Sequence, residues 1–263
     1  MNTSRDAFNV LIQQLENRCS TSFQVAEISS NIYSIDFPYH NLVIYYYLPE
    51  SSRIHLDRAS SKKAIIHLDE DRWLNRGDLV INRILNRLGQ VERLYARKGV
   101  VARIDKNTAL SFLEDHHLHT PIPGKYRYGL FIDGELMSIG VFSGGRLMRH
   151  TEGYRSFECI RFCTKQGYVV VGGLSKLLKA FSHDFKPSDV MTYVDCDWSD
   201  GKVYEKIGFE REGYTEPQYY LIDWKNHQRT AYQLESAGTM EILKKGNHYL
   251  LANSGSMKMI KRY

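Results

Sequence analysis

The sequence predicts an α+β protein in two parts, a mixed-sheet domain at residues 93–263 preceded by a smaller α/β unit at residues 1–92, and three observations lead there. Short alternating or continuous apolar runs, the signature of strands, outnumber the stretches with helical apolar spacing. The apolar run Tyr168–Val171 passes through Gly172 and Gly173 into a helix-like segment reaching Phe181, so that strand, glycine turn and helix follow one another. The composition, 43% hydrophobic and 12% aromatic over 263 residues, suits packed cores and excludes general disorder.

In chain order, Phe8, Leu11, Ile12 and Leu15 mark a helix over 4–18, followed by strands at Phe23–Ile28, Ile32–Phe37, Leu42–Leu48 and Ala64–Leu68. A helix at Asp78–Leu88 carries Val80, Ile81, Ile84, Leu85 and Leu88 on one face. Beyond Gly89 come a strand at Leu94–Ile104, a helix at Thr108–His116, and strands at Tyr126–Ile132, Glu135–Phe142, Phe157–Cys163 and Tyr168–Val171. Asp133-Gly134 sits between two of these strands and is a tight-turn signal. After the glycine turn and its helix follow a strand at Val190–Val194, a short helix with Tyr204 that closes at Gly208, and a hairpin through Tyr214 and Tyr219–Trp224.

No apolar run approaches the roughly 20 residues that span a bilayer, and Met1–Asp6 lacks a signal-peptide core. The expectation is a cytoplasmic protein with no membrane partner. Cys19, Cys159, Cys163 and Cys196 make no dense disulfide framework and read as reduced thiols, the middle two as core. The formal charge is +5, and the segment from Arg76 to Lys106 alone supplies it, with eight basic residues against Asp78, Glu92 and Asp105. Arg83 and Arg87 lie four apart and project together; with Arg97 and Lys98 they form the candidate contact to phosphate backbone, against the plainer reading of a solvated face.

The glycine turn brings backbone N–H groups at a helix start toward an anion, so Gly172, Gly173, Ser175 and Lys176 are the candidate cofactor-binding residues. Tyr204 is placed to act as an acid beside them. Asp195 and Asp197 end a strand where they can orient or deprotonate an amine, while Ser199 caps the helix of Tyr204 and Trp198 offers a surface for an extruded base. In His116-His117-Leu118-His119 adjacent side chains cannot all face one ion, although His117 and His119 could on a strand, and no metal site is expected; His117 is either a helix-end histidine or, as the resemblance given below implies, a site residue serving as base. Arg161, in an otherwise apolar strand, needs an anionic partner: Glu158, Asp195 or a substrate group.

The glycine turn and the later Tyr204-Glu205-Lys206-Ile207-Gly208-Phe209 resemble the acyl-CoA-dependent N-acetyltransferase (GNAT) fold. That resemblance implies an acyl-CoA or other acyl donor at Gly172–Lys176 and proton donation by Tyr204 to the leaving thiolate. More widely, Leu94–Lys98, Phe112-Leu113-Glu114 leading to His117, Tyr128-Gly129-Leu130, Glu158 with Arg161-Phe162-Cys163, Val171–Leu177, Asp195–Gly201 and Asn253–Lys258 resemble the C-terminal half of phage Hef-like homing-endonuclease proteins. That half is distantly similar to the phage Mom DNA-modification family. In the first ninety residues, Tyr33–Leu48 resembles the hairpin of a Vsr-like PD-(D/E)XK nuclease, and His67–Trp73 a later strand and its exit. Asp36 stands as a first metal carboxylate, no second acid appears near Ile44–Tyr46, and Asp69, Glu70 and Asp71 read as a solvated turn rather than substitutes.

The resemblance therefore implies a degenerate restriction-endonuclease-like domain followed by a GNAT-like domain. The implied function is a DNA-acting group transferase that modifies a nucleobase amine on double-stranded DNA, with no obligate protein partner. A DNA-binding homing-endonuclease relative without transferase chemistry and a small-molecule N-acetyltransferase are the alternatives.

Overall fold

The computed structural model describes residues 3–54, 63–148, 151–234, 243 and 246–263. The α+β class is as expected, but the two compact units are not consecutive. Unit 1 comprises residues 1–81, 194–201 and 214–257, and unit 2 residues 82–193, 202–213 and 258–263, whereas the sequence reading divides the chain once, at residue 92. Burial is the reason: segments far apart in sequence complete the core and the charge pairing of unit 1, as described below.

Unit 1 begins with α1 (Thr3–Arg18), whose Phe8, Leu11 and Leu15 are buried, Phe8 stacking on Tyr33 with ring centroids 4.3 Å apart. The strands β1 (Gln24–Ser29), β2 (Ile32–Phe37), β3 (Leu42–Tyr47) and β4 (Ala64–Asp69) form one sheet in that order, antiparallel except for the parallel pair β3/β4. The β3–β4 connection, where the sequence leaves little room for a helix, lies largely outside the described residues. Helix α2 (Glu70–Arg87) starts eight residues before the expected Asp78 and bends at Arg76. Trp73 sits where a side chain on Gly77 would touch its ring at 3.0 Å, and its indole N–H donates to Ala7 O at 2.9 Å. The kink lets both halves of an interrupted apolar pattern be buried.

The expected strand Leu94–Ile104 is instead two, β5 (Glu92–Tyr95) and β6 (Val100–Arg103), separated by a single 3₁₀ turn at Ala96–Lys98. Gly99 is the break. A Cβ there would lie 2.3 Å from the Phe131 carbonyl oxygen, so the chain passes too close to the next strand for any side chain. Gly99→Ala is expected to destabilise unit 2 by about 1–3 kcal/mol, the usual cost of overpacking, read from its urea midpoint. An unchanged midpoint would mean the turn is freer than its packing implies.

Helix α3 (Lys106–His116) is capped by Asp105, which accepts from the N–H groups of Asn107 and Thr108 at 2.8 and 2.9 Å. It packs Ala109, Phe112 and Leu113 on Ile139, Val141 and Cys163. Strands β7 (Tyr126–Ile132) and β8 (Glu135–Phe142) form the expected hairpin, Asp133 and Gly134 both having positive φ as a primed turn requires. Then come β9 (Arg146–Leu147), β10 (Arg155–Thr164), β11 (Tyr168–Val171), α4 (Gly173–Phe185), β12 (Asp189–Asp195), α5 (Lys202–Glu205) and β13 (Glu210–Tyr214).

The remaining strands are β14 (Tyr219–Asp223), β15 (Arg229–Tyr232), β16 (His248–Ala252) and β17 (Ser256–Arg262). The main sheet of unit 2 has the order β13-β17-β12-β10-β8-β7-β6, with β9 alongside β10, and β11 pairs with β5 in a separate parallel ribbon. The expected hairpin across Tyr214 and Tyr219–Trp224 does not form: β13 joins the large sheet, while β14 lies between β15 and β16. Under α4, Phe181 stacks on Phe142 at 4.0 Å and meets Phe157 and Tyr128 edge-on.

Candidate active site

Strands β10 and β12 run parallel but pair only over Ser156–Glu158 and Asp189–Met191 among the described residues. Just beyond that point the register of β10 against β8 shifts between Cys159 and Arg161, and the Thr192 hydroxyl donates to the Cys159 carbonyl at 2.9 Å. The ladder thus ends at a bulge, and β10 continues to Thr164 without β12 beside it. Backbone groups beyond the end of a ladder can serve as donors and acceptors for an extended ligand.

Tyr204 stands at the end of α5, held by its backbone. Its carbonyl accepts from the amides of Ile207 and Phe209, both at 3.1 Å, in a turn that Gly208 completes at φ +89°. The ring meets Phe209 edge-on at 5.6 Å. Tyr204 is half buried, and desolvation raises its pKa well above the ordinary value, with Cys159 adding to the rise and Arg83 opposing it. Tyr204 therefore keeps its proton throughout the neutral range. Cys159 and Cys163 are core, as expected, their thiols pushed up to about 12 chiefly by burial.

His117 follows α3 directly, its N–H bonded to Leu113 O at 2.9 Å. Burial, with smaller contributions from His119, Arg83 and Arg161, holds its pKa well below the usual value, so it is neutral at pH 7. His117 Nδ1 lies 3.0 Å from the His119 amide, which can donate to it, and 3.3 Å from the His119 carbonyl, to which it can itself donate, so the tautomer follows whichever of the two bonds is made. Arg161 donates to Ile160 O at 2.9 Å and Thr120 O at 3.3 Å, so it finds backbone oxygens at the bulge. Arg83, expected to project with Arg87 toward a phosphate backbone, is half buried, and its charge acts on His117, Cys163 and Tyr204. Helical spacing alone does not reveal that this residue turns inward while Arg87 stays exposed.

At the glycine turn, Gly172 adopts φ +79° and precedes α4, whose first N–H groups have no carbonyl of their own helix to reach. Gly172 and Ser175 are exposed, so backbone and hydroxyl suit a phosphate-bearing donor. Lys176 does not fit that role as placed: its ammonium donates to Ala96 O at 2.8 Å and to Gly99 O.

Asp195, Asp197 and Trp198 belong to unit 1. Trp198 is 5% exposed, so it has no free face for a base, which corrects the stacking role expected for it. Ser199 accepts from Gly201 N at 3.2 Å, just before α5. Asp195 accepts from Asp197 N at 2.8 Å. Asp197 is buried and accepts from Arg53 at 3.0 Å and Ser254 N at 3.1 Å. Arg53 also grips Asp69 with two bonds of 2.6 and 2.8 Å, and Arg229 links Asp69 at 2.9 Å to Asp71 at 2.7 and 2.8 Å.

The expected solvated turn of Asp69, Glu70 and Asp71 is thus a buried ionic network, because guanidinium groups from distant segments neutralise it. Asp36 is paired with Lys63 at 2.5 Å. Among the described residues no three His, Cys, Asp or Glu side chains gather as a metal site, and no described helix is long and apolar enough to cross a membrane.

The sequence matches no family model and no curated protein. Among solved structures it is similar to an acetyltransferase of Corynebacterium glutamicum related to histone acetyltransferase HPA2, at 9% identity over 63% of this chain and 96% of that one, with a TM-score of 0.39. A GNAT family acetyltransferase of Elizabethkingia anophelis with acetyl-CoA bound is 10% identical over 63% and 99%, with a TM-score of 0.35. An acetyltransferase of Bacillus subtilis in complex with CoA is 12% identical over 63% and 99%, with a TM-score of 0.36.

Proposed function

We propose that unit 2 is a GNAT-like acyltransferase that acts on an exocyclic nucleobase amine of DNA. The observation that carries the acyl-transfer part is the parting of β10 from β12 at a bulge with a buried, protonated tyrosine hydroxyl near Cys159 at that point. A thioester donor supplies an activated acyl carbon, held through its phosphates by the backbone at Gly172, Gly173 and Ser175. The edge of β10 beyond the bulge aligns the donor's extended arm.

The chain's own groups then have separate tasks. A nucleobase amine is neutral at physiological pH, so attack needs no strong base beforehand. As the C–N bond forms and the C–S bond breaks, Tyr204 gives its proton to the departing sulfur, and the proton lost from the amine restores the hydroxyl. Arg83 and Arg161, whose charges act on His117, provide positive potential for oxygen charge that develops during attack. The basic segment between Arg76 and Lys106 supports the nucleic-acid part of this reading.

Mass spectrometry of nucleosides from plasmid DNA grown with the wild-type chain tests the proposal. It predicts one nucleoside with a new acyl-type mass. Unmodified DNA combined with turnover of acetyl-CoA on small amines would move the assignment to a small-molecule acetyltransferase. One observation favours a DNA-binding protein without transferase chemistry: Lys176 is engaged by Ala96 and Gly99 at the mouth of the glycine turn. That reading requires DNA binding without any uptake of acetyl-CoA, which calorimetry decides.

A further inference from the structure

The cations of unit 2 differ in whether a carboxylate pairs with them. Arg103 bonds Asp184 at 3.0 Å, Arg211 bonds Glu205 at 2.7 Å, and Arg262 bridges Glu210, at 2.6 Å, and Glu212. By contrast Arg93, Arg97 and Lys98 are exposed, and among the described residues no carboxylate pairs with any of them. They fall within six residues, on β5 and the 3₁₀ turn that follows it.

Their presentation is fixed by the fold. Strand β5 is held parallel to β11 in the register Arg93↔Val169 and Tyr95↔Val171, so Arg93 and Tyr95 share one face, while the acidic Glu92 falls on the other. The Arg97 guanidinium lies over the Tyr95 ring, 5.2 Å from its centroid. The turn itself has little freedom. Ala96 is buried, Gly99 N donates to Ala96 O at 3.1 Å, the Lys176 ammonium ties the carbonyls of Ala96 and Gly99 together, and Gly99 is pressed against Phe131 O. A lysine on α4 thus positions the turn that carries Arg97 and Lys98.

We propose that this ribbon and turn contact the phosphate backbone of duplex DNA through Arg93, Arg97 and Lys98, an inference that rests on the DNA-acting reading of the chain. Three preorganised, unneutralised cations suit a polyanion, because little ordering of the turn is needed on binding. A duplex is favoured over a single strand because residues 93–98 carry three cations but only one aromatic, Tyr95, with Arg97 over one of its faces, whereas single-strand sites stack successive bases on several rings. This assignment replaces Arg83 and Trp198, both turned inward, as nucleic-acid contacts.

The test is fluorescence anisotropy of the full chain with a labelled duplex, over a range of salt, for wild type and Arg93→Gln/Arg97→Gln/Lys98→Gln. All three side chains are exposed, and circular dichroism checks that the fold is kept. Each lost phosphate contact removes about 0.9 from the slope of log affinity against log salt, so the slope should become shallower by roughly 2.7. Equal affinity and slope in the triple variant would overturn the assignment, as would absence of duplex binding by wild type. Tighter wild-type binding to a single strand or to RNA, lost in the variant, would overturn the choice of duplex. Duplex binding that depends on the three cations while nucleosides from expressing cells stay unmodified would leave this inference standing and defeat the transferase reading instead.

Discussion

Tyr204→Phe is expected to lower kcat for acyl transfer by about 10²–10⁴-fold, the usual contribution of a positioned acid, while leaving the fold intact. Among the described residues the Tyr204 hydroxyl makes no hydrogen bond, so its removal strands no partner, and the ring contact with Phe209 remains. A drop in kcat with little change in donor KM would locate the loss in the chemical step. The pH dependence separates this role from a packing role. Burial raises the Tyr204 pKa, so its acid form persists above neutrality, and no alkaline loss of activity should arise from it up to about pH 9. Activity in the variant within twofold of wild type would remove Tyr204 from the mechanism.

Arg229→Ala should cost unit 1 about 3–5 kcal/mol, because it leaves Asp69 and Asp71 buried without the guanidinium that bonds both. Urea unfolding reads this directly, and a loss below about 1 kcal/mol would mean that water or Arg53 takes over. The network also predicts a two-sided pH response. Asp69 is held below the usual carboxylate range, despite complete burial, by Arg53 and Arg229; its contribution is present above pH 4 and is lost as the pH falls through its folded pKa.

Asp197 shares only Arg53 and faces Asp195 and Asp69, so burial raises it to about 6. Its contribution is present below its unfolded value near 4 and is lost as the pH rises through about 6. Asp197→Asn keeps an oxygen for Ser254 N–H but cannot ionise, so wild type should lose stability relative to it between pH 4 and 6 and run parallel above. Parallel curves throughout would show that Asp197 stays ionised in the fold.

Local signals were legible where local chemistry decides the structure. Asp133-Gly134 gave the hairpin, and the apolar periods of β2 and β3 their positions nearly to the residue, while the Asp105 cap that starts α3 two residues before the expected Thr108 went unread. The glycine turn and the placement of Tyr204 on a short helix also followed from sequence. What escaped was decided at long range. Asp69–Asp71 look like a polar turn until Arg53 and Arg229 arrive, and Gly99 looks like one more strand residue until Phe131 O lies against it. Trp198 was misread for the same reason, since residue type does not say which side of a loop the rest of the chain will cover.

The separation of 158 residues between Asp71 and Arg229 has a consequence for biosynthesis. At roughly 5–20 residues per second, a ribosome needs about 8–30 s to travel from one to the other. During that interval the emerging β3–β4 sheet holds carboxylates whose counter-charge does not yet exist, so the first ninety residues cannot reach their final packing while the middle of the chain is being made. A gene fragment ending near residue 92 would encode the sheet β1–β4 without Asp197, Arg229 or Ser254. In their present form those early residues therefore depend on segments encoded far downstream, and the pieces of unit 1 must be brought together before its charges are neutralised.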